Sequence, residues 1–114
     1  MESLRLKKIE STYKDTMTEL LLTSVSDPFL HDVQITEIKI SPDLHQARVY
    51  FYIADRTRER EVLKGFRRSK GFLKKELSVR VQLRYVPDLD FFYDDQVEKN
   101  QKMDELFRQI NHPK

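Results

Sequence analysis

Between Val33 and Ile53 the apolar residues of this chain change period, and that change restricts the fold more than any other feature. "VQITEIKIS", from Val33 to Ser41, alternates β-branched residues with polar ones, the pattern of a half-buried strand. Its phase slips between Ile35 and Ile38, which marks a bulge or a strand with core on both sides. "SPDLH" follows with turn chemistry: Pro42 presets φ, and the Asp43 side chain can bond its own backbone. Beyond the turn, Ala47, Val49, Phe51 and Ile53 fall on one face and Arg48, Tyr50 and Tyr52 on the other. The two runs therefore pair as an antiparallel hairpin with one core face and one amphipathic face.

Helical spacing brackets the hairpin. From Leu4 to Val25, residues Leu6, Ile9, Tyr13, Met17, Leu20 and Leu21 recur at intervals of three and four, a helix with one buried stripe. "SDP" stops it by Ser26, because Pro28 lacks an amide hydrogen and disfavours helix at Asp27. After the hairpin, "TREREVLKGFRRSKGFLKKELSVR" turns Val62, Leu63 and Phe66 inward and Arg60, Lys64, Arg67 and Arg68 outward. The apolar phase restarts after Gly71 with Phe72, Leu73 and Leu77. Two short helices joined by a kink at Ser69, Lys70 and Gly71 are expected, glycine supplying the conformational freedom.

"VQLRYVPDLDFFYDD" then alternates Val81, Leu83, Tyr85, Leu89, Phe91 and Tyr93, a third strand whose Pro87 places it at an edge or a bulge. A tail with Val97, Met103, Leu106, Phe107 and Ile110 reads as helix ended by Pro113. The expected class is α+β: one domain over residues 1–95 and a C-terminal helical tail over 96–114.

At 114 residues the chain can bury a modest core unaided, and it has no cysteine for disulfides or thiolate metal sites. "MESLRLKKIE" has neither the apolar run of a signal peptide or membrane span nor the composition of a transit peptide, so a soluble, cytoplasmic protein is expected. Charge is the informative part of the composition. The net is only +2, yet residues 56–87 carry 11 Lys and Arg against 3 Asp and Glu, while the segments on either side are net acidic. Such asymmetry suits a surface that meets a polyanion, although a charge run by itself is as readily a solvated helix face.

The order helix, strand, strand, helix, kink, helix, strand is that of a type II KH-like module, and KH domains clamp nucleic-acid backbone at a Gly-x-x-Gly loop between helices. No Gly-x-x-Gly occurs here; Ser69-Lys70-Gly71 stands in its place. Asp27, Pro28, Ser41, Asp43, Leu44, Ala47, Val49 and Tyr50 resemble one block of the bacterial ribosome-binding factor A family. Leu83, Arg84, Pro87, Leu89, Phe91 and Asp94 resemble its second signature. That family has an Ala-x-Gly kink where this chain has Ser69.

The resemblance implies a non-catalytic assembly factor, monomeric when free, that binds the small (30S) ribosomal subunit. It would act late in 16S rRNA maturation and processing and contribute to growth in the cold. No membrane, small-molecule substrate or cofactor is implied. The residues agree in kind. Lys64, Arg67, Arg68, Lys70, Lys74 and Lys75 offer phosphate contacts along the basic helices, with Arg48 and Arg84 as further RNA-binding candidates. Tyr50 and Tyr52 are stacking candidates, against which packing under the helices or tail weighs equally.

Enzyme chemistry has little to stand on. His31, His45 and His112 are far apart in sequence with no ligand-spaced partner, so no metal site is expected. Asp94, Asp95 and Glu98 read as the acidic start of a helix rather than a metal cluster. Two alternatives remain: a general RNA-binding KH-like protein, and a protein-interaction module that docks an acidic partner through its basic helix pair.

Overall fold

The computed structural model describes residues 4–111. Three helices and a three-stranded mixed sheet follow one another as α1 (Leu4–Thr23), β1 (Gln34–Ile40), β2 (Gln46–Tyr52), α2 (Glu59–Arg80), β3 (Asp88–Tyr93) and α3 (Gln96–Asn111). Single 3-10 turns at Pro28–Leu30 and Arg56–Arg58 precede β1 and α2. The strands lie in the order β1-β2-β3, with β1 antiparallel and β3 parallel to the central β2. α1 packs on β1, and α2 packs on α1 and β3, so both helices cover one face of the sheet.

The hairpin is as its periodicity required. The register of β1 against β2 shifts between Ile35 and Glu37. Thr36 takes up that irregularity: its hydroxyl donates to Asp94 Oδ2 (2.6 Å) and lies 3.2 Å from the Tyr50 carbonyl oxygen. The bulge is thus tied to the start of α3 as well as to β2. At the turn, Asp43 Oδ1 accepts from the Ser41 hydroxyl (2.6 Å) and the His45 amide (3.0 Å), while the Leu44 amide donates to the Ser41 carbonyl (2.8 Å). These bonds hold Leu44 at φ 66°, the only non-glycine residue with positive φ among those described.

Between sheet and helices lie Tyr13, Met17, Leu20, Ala47, Val49, Phe51, Ile53, Val62, Phe66, Leu73 and Leu77, all essentially without solvent contact. Glu10 is the buried exception. Its Oε2 accepts from the Ile40 amide at 2.7 Å, which docks α1 onto the end of β1 and satisfies the carboxylate.

Three expectations change. The kink is absent as a helix break: α2 runs from Glu59 to Arg80 without interruption, and no glycine has positive φ. Local propensity explains this, because residues on both sides of Gly71 favour helix and the packing of Phe66, Leu73 and Leu77 falls on one continuous stripe. Phe72, expected inward, is 40% exposed, since a continuous helix turns it past the edge of that stripe. The third strand begins only at Asp88; Val81 to Pro87 form a connecting segment that crosses to the sheet edge. Pro113 and His112 lie outside the described residues.

The glycine that the packing does use is Gly65. A β-carbon there would sit 3.1 Å from Leu30 Cδ2 and 3.3 Å from Phe29 Cβ, so its absence lets the 3-10 turn lie directly on α2. At Gly71 nothing lies within 4 Å of where a β-carbon would stand. In a continuous helix Gly71→Ala is therefore expected to stabilise the protein by about 1 kcal/mol, and Gly71→Pro to destabilise it by about 3 kcal/mol or more. Thermal melts of the two variants check this; an alanine variant less stable than wild type would show that the position must bend.

Candidate functional site

One face of α2 points away from the core, and the periodicity of the helix dictates its contents. Lys64, Arg68, Gly71 and Lys75 fall in one row opposite Val62, Phe66 and Leu73, with Arg60 and Arg67 along one flank and Phe72 along the other. The expected basic surface exists, but its cations are not equivalent.

Arg68 is engaged. Its Nε donates to Asp27 Oδ2 (2.9 Å) and a terminal nitrogen to Oδ1 (3.1 Å), a two-pronged pair in which the Asp27 side chain is only 11% exposed. Asp27 also accepts from the Phe29 amide (3.0 Å), and the Arg68 guanidinium lies 5.1 Å from the centre of the Phe29 ring. Arg68 therefore fastens the 3-10 turn to α2. Lys70 (3.0 Å) and Lys74 (3.5 Å) both reach Asp88 Oδ1 at the start of β3. Lys70 first, and Lys74 after it, hold the Asp88 carboxyl below its ordinary range.

Lys64, Arg67 and Lys75 are exposed and belong to no ion pair among the described residues. These three carry positive charge that a partner can use. Sequence alone could not separate the two sets, because Asp27 and Asp88 lie 41 and 18 residues from Arg68 and Lys70 and are brought beside them only by the fold.

Arg67 and Lys70 also line an open groove of about 300 Å³ between α2 and β3, floored by Leu63, Leu89 and Phe91 and closed by Asp90. Phe91 stacks on Phe66 at 4.2 Å between ring centres, so this wall is anchored in the core. Asp88 donates its amide to the His45 carbonyl (2.9 Å), which starts the parallel pairing and sets where β3 lies against α2.

The other candidates are elsewhere. Arg48 is exposed on the sheet face opposite α1 and α2, with Tyr50 half-buried beside it in sequence and 5.7 Å from the Phe92 ring on β3. Tyr52 is half-buried 6.2 Å from the Tyr93 ring. Phe92, 44% exposed, joins this aromatic face without any periodicity in the sequence that singles it out. Its place across from Tyr50 depends on β3 running parallel to β2, a long-range pairing. Arg84 lies in the segment before β3, 5.4 Å over the Tyr85 ring, which in turn sits 4.5 Å from His45. The fold does not gather Arg48, Arg84 and the α2 row into one cluster.

The acidic stretch organises the start of α3. Asp94 Oδ1 accepts from the Gln96 amide (3.0 Å), and Asp95 pairs with Lys99 (3.5 Å). Glu98 accepts from the Tyr93 hydroxyl (2.6 Å) and from Arg56 (3.1 Å). Burial first, and then the Glu98 carboxylate, raise the Tyr93 hydroxyl well above the usual tyrosine range, so it stays a donor to Glu98. Among the described residues no group of three His, Cys, Asp or Glu is placed to hold a metal ion, and no helix is long and apolar enough to cross a membrane.

Known proteins share this architecture. The family model for ribosome-binding factor A matches residues 5–107. A ribosome-binding factor A from Syntrophobacter fumaroxidans is 34% identical over 114 residues, covering 97% of this chain and 97% of its own. Among solved structures, the crystal structure of ribosome-binding factor A from Thermus thermophilus superposes with a TM-score of 0.70 at 24% identity, over 77% of this chain and 94% of that one. A homology model of the Thermus thermophilus factor, fitted into a cryo-EM map of its 30S complex, superposes with a TM-score of 0.61 at 22% identity, over 77% and 93% of the two chains. With the matched span running from the first turn of α1 through most of α3, this chain belongs to the ribosome-binding factor A family.

Proposed function

We propose that this protein is a non-catalytic assembly factor, monomeric and cytoplasmic, that binds the small ribosomal subunit and assists late maturation and processing of its 16S rRNA, with most value in the cold. The observation that carries the reading is the exposed row on α2, where Lys64, Arg67 and Lys75 are left without an intramolecular partner among the described residues. Family membership over nearly the whole chain, and the 30S complex of the Thermus thermophilus relative, support the small subunit as the polyanion.

On this reading the unpaired cations contact phosphates and position the protein without reading sequence. Arg68, Lys70 and Lys74 contribute through the same face while remaining tied to Asp27 and Asp88. Arg48, on the far face of the sheet, and Arg84, in the segment before β3, would be RNA contacts separate from the α2 row. The fold serves as a type II KH-like module over residues 1–95, and 96–114 is a C-terminal helical tail. No cofactor, membrane or small-molecule substrate enters the activity.

Sedimentation of the purified protein with small subunits, large subunits and nuclease-treated small subunits over a salt series tests this. Selective, salt-sensitive migration with intact small subunits is expected. Equal binding to small and large subunits, and to naked rRNA run as a further arm, would make it a general RNA-binding protein. Binding that survives RNA digestion would make it a module that docks an acidic protein.

A further inference from the structure

Phe72 is an aromatic ring on the outer flank of a helix whose other phenylalanine, Phe66, is entirely buried. It forms one wall of an open groove of about 450 Å³ between the end of α1 and α2, on the opposite flank of the basic row from the α2 and β3 groove. Ser26, Pro28 and Ser69 complete that wall and floor. The Ser26 and Ser69 hydroxyls have no hydrogen-bond partner among the described residues.

Two further features adjoin the ring. Lys75, one turn along α2, carries an unpaired charge, and Gly71, one turn before Lys75 and next to Phe72 in the chain, leaves the helix surface beside them bare. Neither packing nor backbone conformation requires a glycine there, since its φ is negative and nothing lies within 4 Å of where a β-carbon would be. A glycine that the fold does not need leaves room for another molecule's backbone to come close. The Asp27 carboxylate at the same groove is neutralised by Arg68, so it does not repel an anion.

We infer that this groove takes one unpaired nucleotide of the RNA, its base stacked on Phe72, its edge bonded by Ser26 and Ser69, and its phosphate beside Gly71 held by Lys75. A planar ring next to hydroxyls that donate or accept, with a cation one turn away, matches the parts of a nucleotide. An acidic peptide would satisfy Lys75 alone and leave the ring without a planar partner. The inference rests on the reading of α2 as an RNA surface and adds to it a base-stacking position.

The chain has no tryptophan, so Phe72→Trp installs a single fluorescent reporter at the site. Its emission is expected to be quenched saturably by isolated small subunits and by a short single-stranded oligoribonucleotide, because stacking on a base quenches indole. Phe72→Leu, which keeps the side chain apolar and removes the π-face, is expected to bind small subunits about tenfold more weakly with an unchanged melting temperature. If Phe72→Trp co-sediments with small subunits while its emission is unchanged, or shifts to the blue without quenching, the stacking assignment is wrong and the subunit reading stands. If the wild-type protein does not sediment with small subunits, the reading itself fails and the inference goes with it.

Discussion

Replacing Lys64, Arg67 and Lys75 together by alanine is expected to weaken binding to small subunits strongly while leaving the melting temperature within about 2 °C of wild type. Each phosphate interaction removed flattens the dependence of log affinity on log salt by roughly 0.7 to 0.9, so removing three should make the slope shallower by about 2 to 3. Stability is spared because none of the three is in an ion pair among the described residues. Replacing Arg68 and Lys70 instead would remove partners from Asp27 and Asp88 and mix a structural loss with any loss of binding. A salt series of sedimentation or filter binding reads the result. A folded triple variant with the wild-type slope would remove this row from the interface.

The largest effect on stability is expected at Phe66→Ala, a loss of about 3 to 5 kcal/mol. Phe66 has no solvent contact, stacks on Phe91 at 4.2 Å and lies 5.2 Å from Phe51, so it joins α2 to both β3 and β2. Truncation opens a cavity where three elements meet and also removes ring interactions worth about 0.5 to 1.5 kcal/mol each. For a domain of total stability near roughly 5 to 15 kcal/mol, the melting temperature should fall by roughly 10 to 20 °C. Thermal denaturation followed by circular dichroism checks it, with Phe66→Leu as the milder companion. A fall of only a few degrees would mean that α2 and β3 are held together by something other than this stack.

The two variants separate what the helix does. Its inner stripe, through Phe66, Leu73 and Leu77, maintains the layer, and its outer row is available for binding. The continuity of α2 matters to both, since a break at Gly71 would divide the row as well as the stripe.

Sequence by itself determined the hairpin and its turn, because alternation, β-branching and Asp43 act over a few residues and need no distant partner; it located the phase slip in the first strand, and the pairing of β1 with β2 made that slip a bulge. It also determined α1, the existence of a third strand though not its start, which lies at Asp88 and not Val81, and the concentration of positive charge between residues 56 and 87. Tertiary structure alone decided which of those charges are available. Asp27 and Asp88 are carried to Arg68, Lys70 and Lys74 by the packing of the 3-10 turn and β3 on α2, and no local pattern encodes those meetings. It decided the glycines in the same way: Gly71 is conspicuous in the sequence and sits in open space, whereas Gly65 is inconspicuous and admits Leu30. Local periodicity reports which face of an element is apolar. Only long-range packing settles which neighbour comes within reach of a side chain, and so which polar groups are left for another molecule.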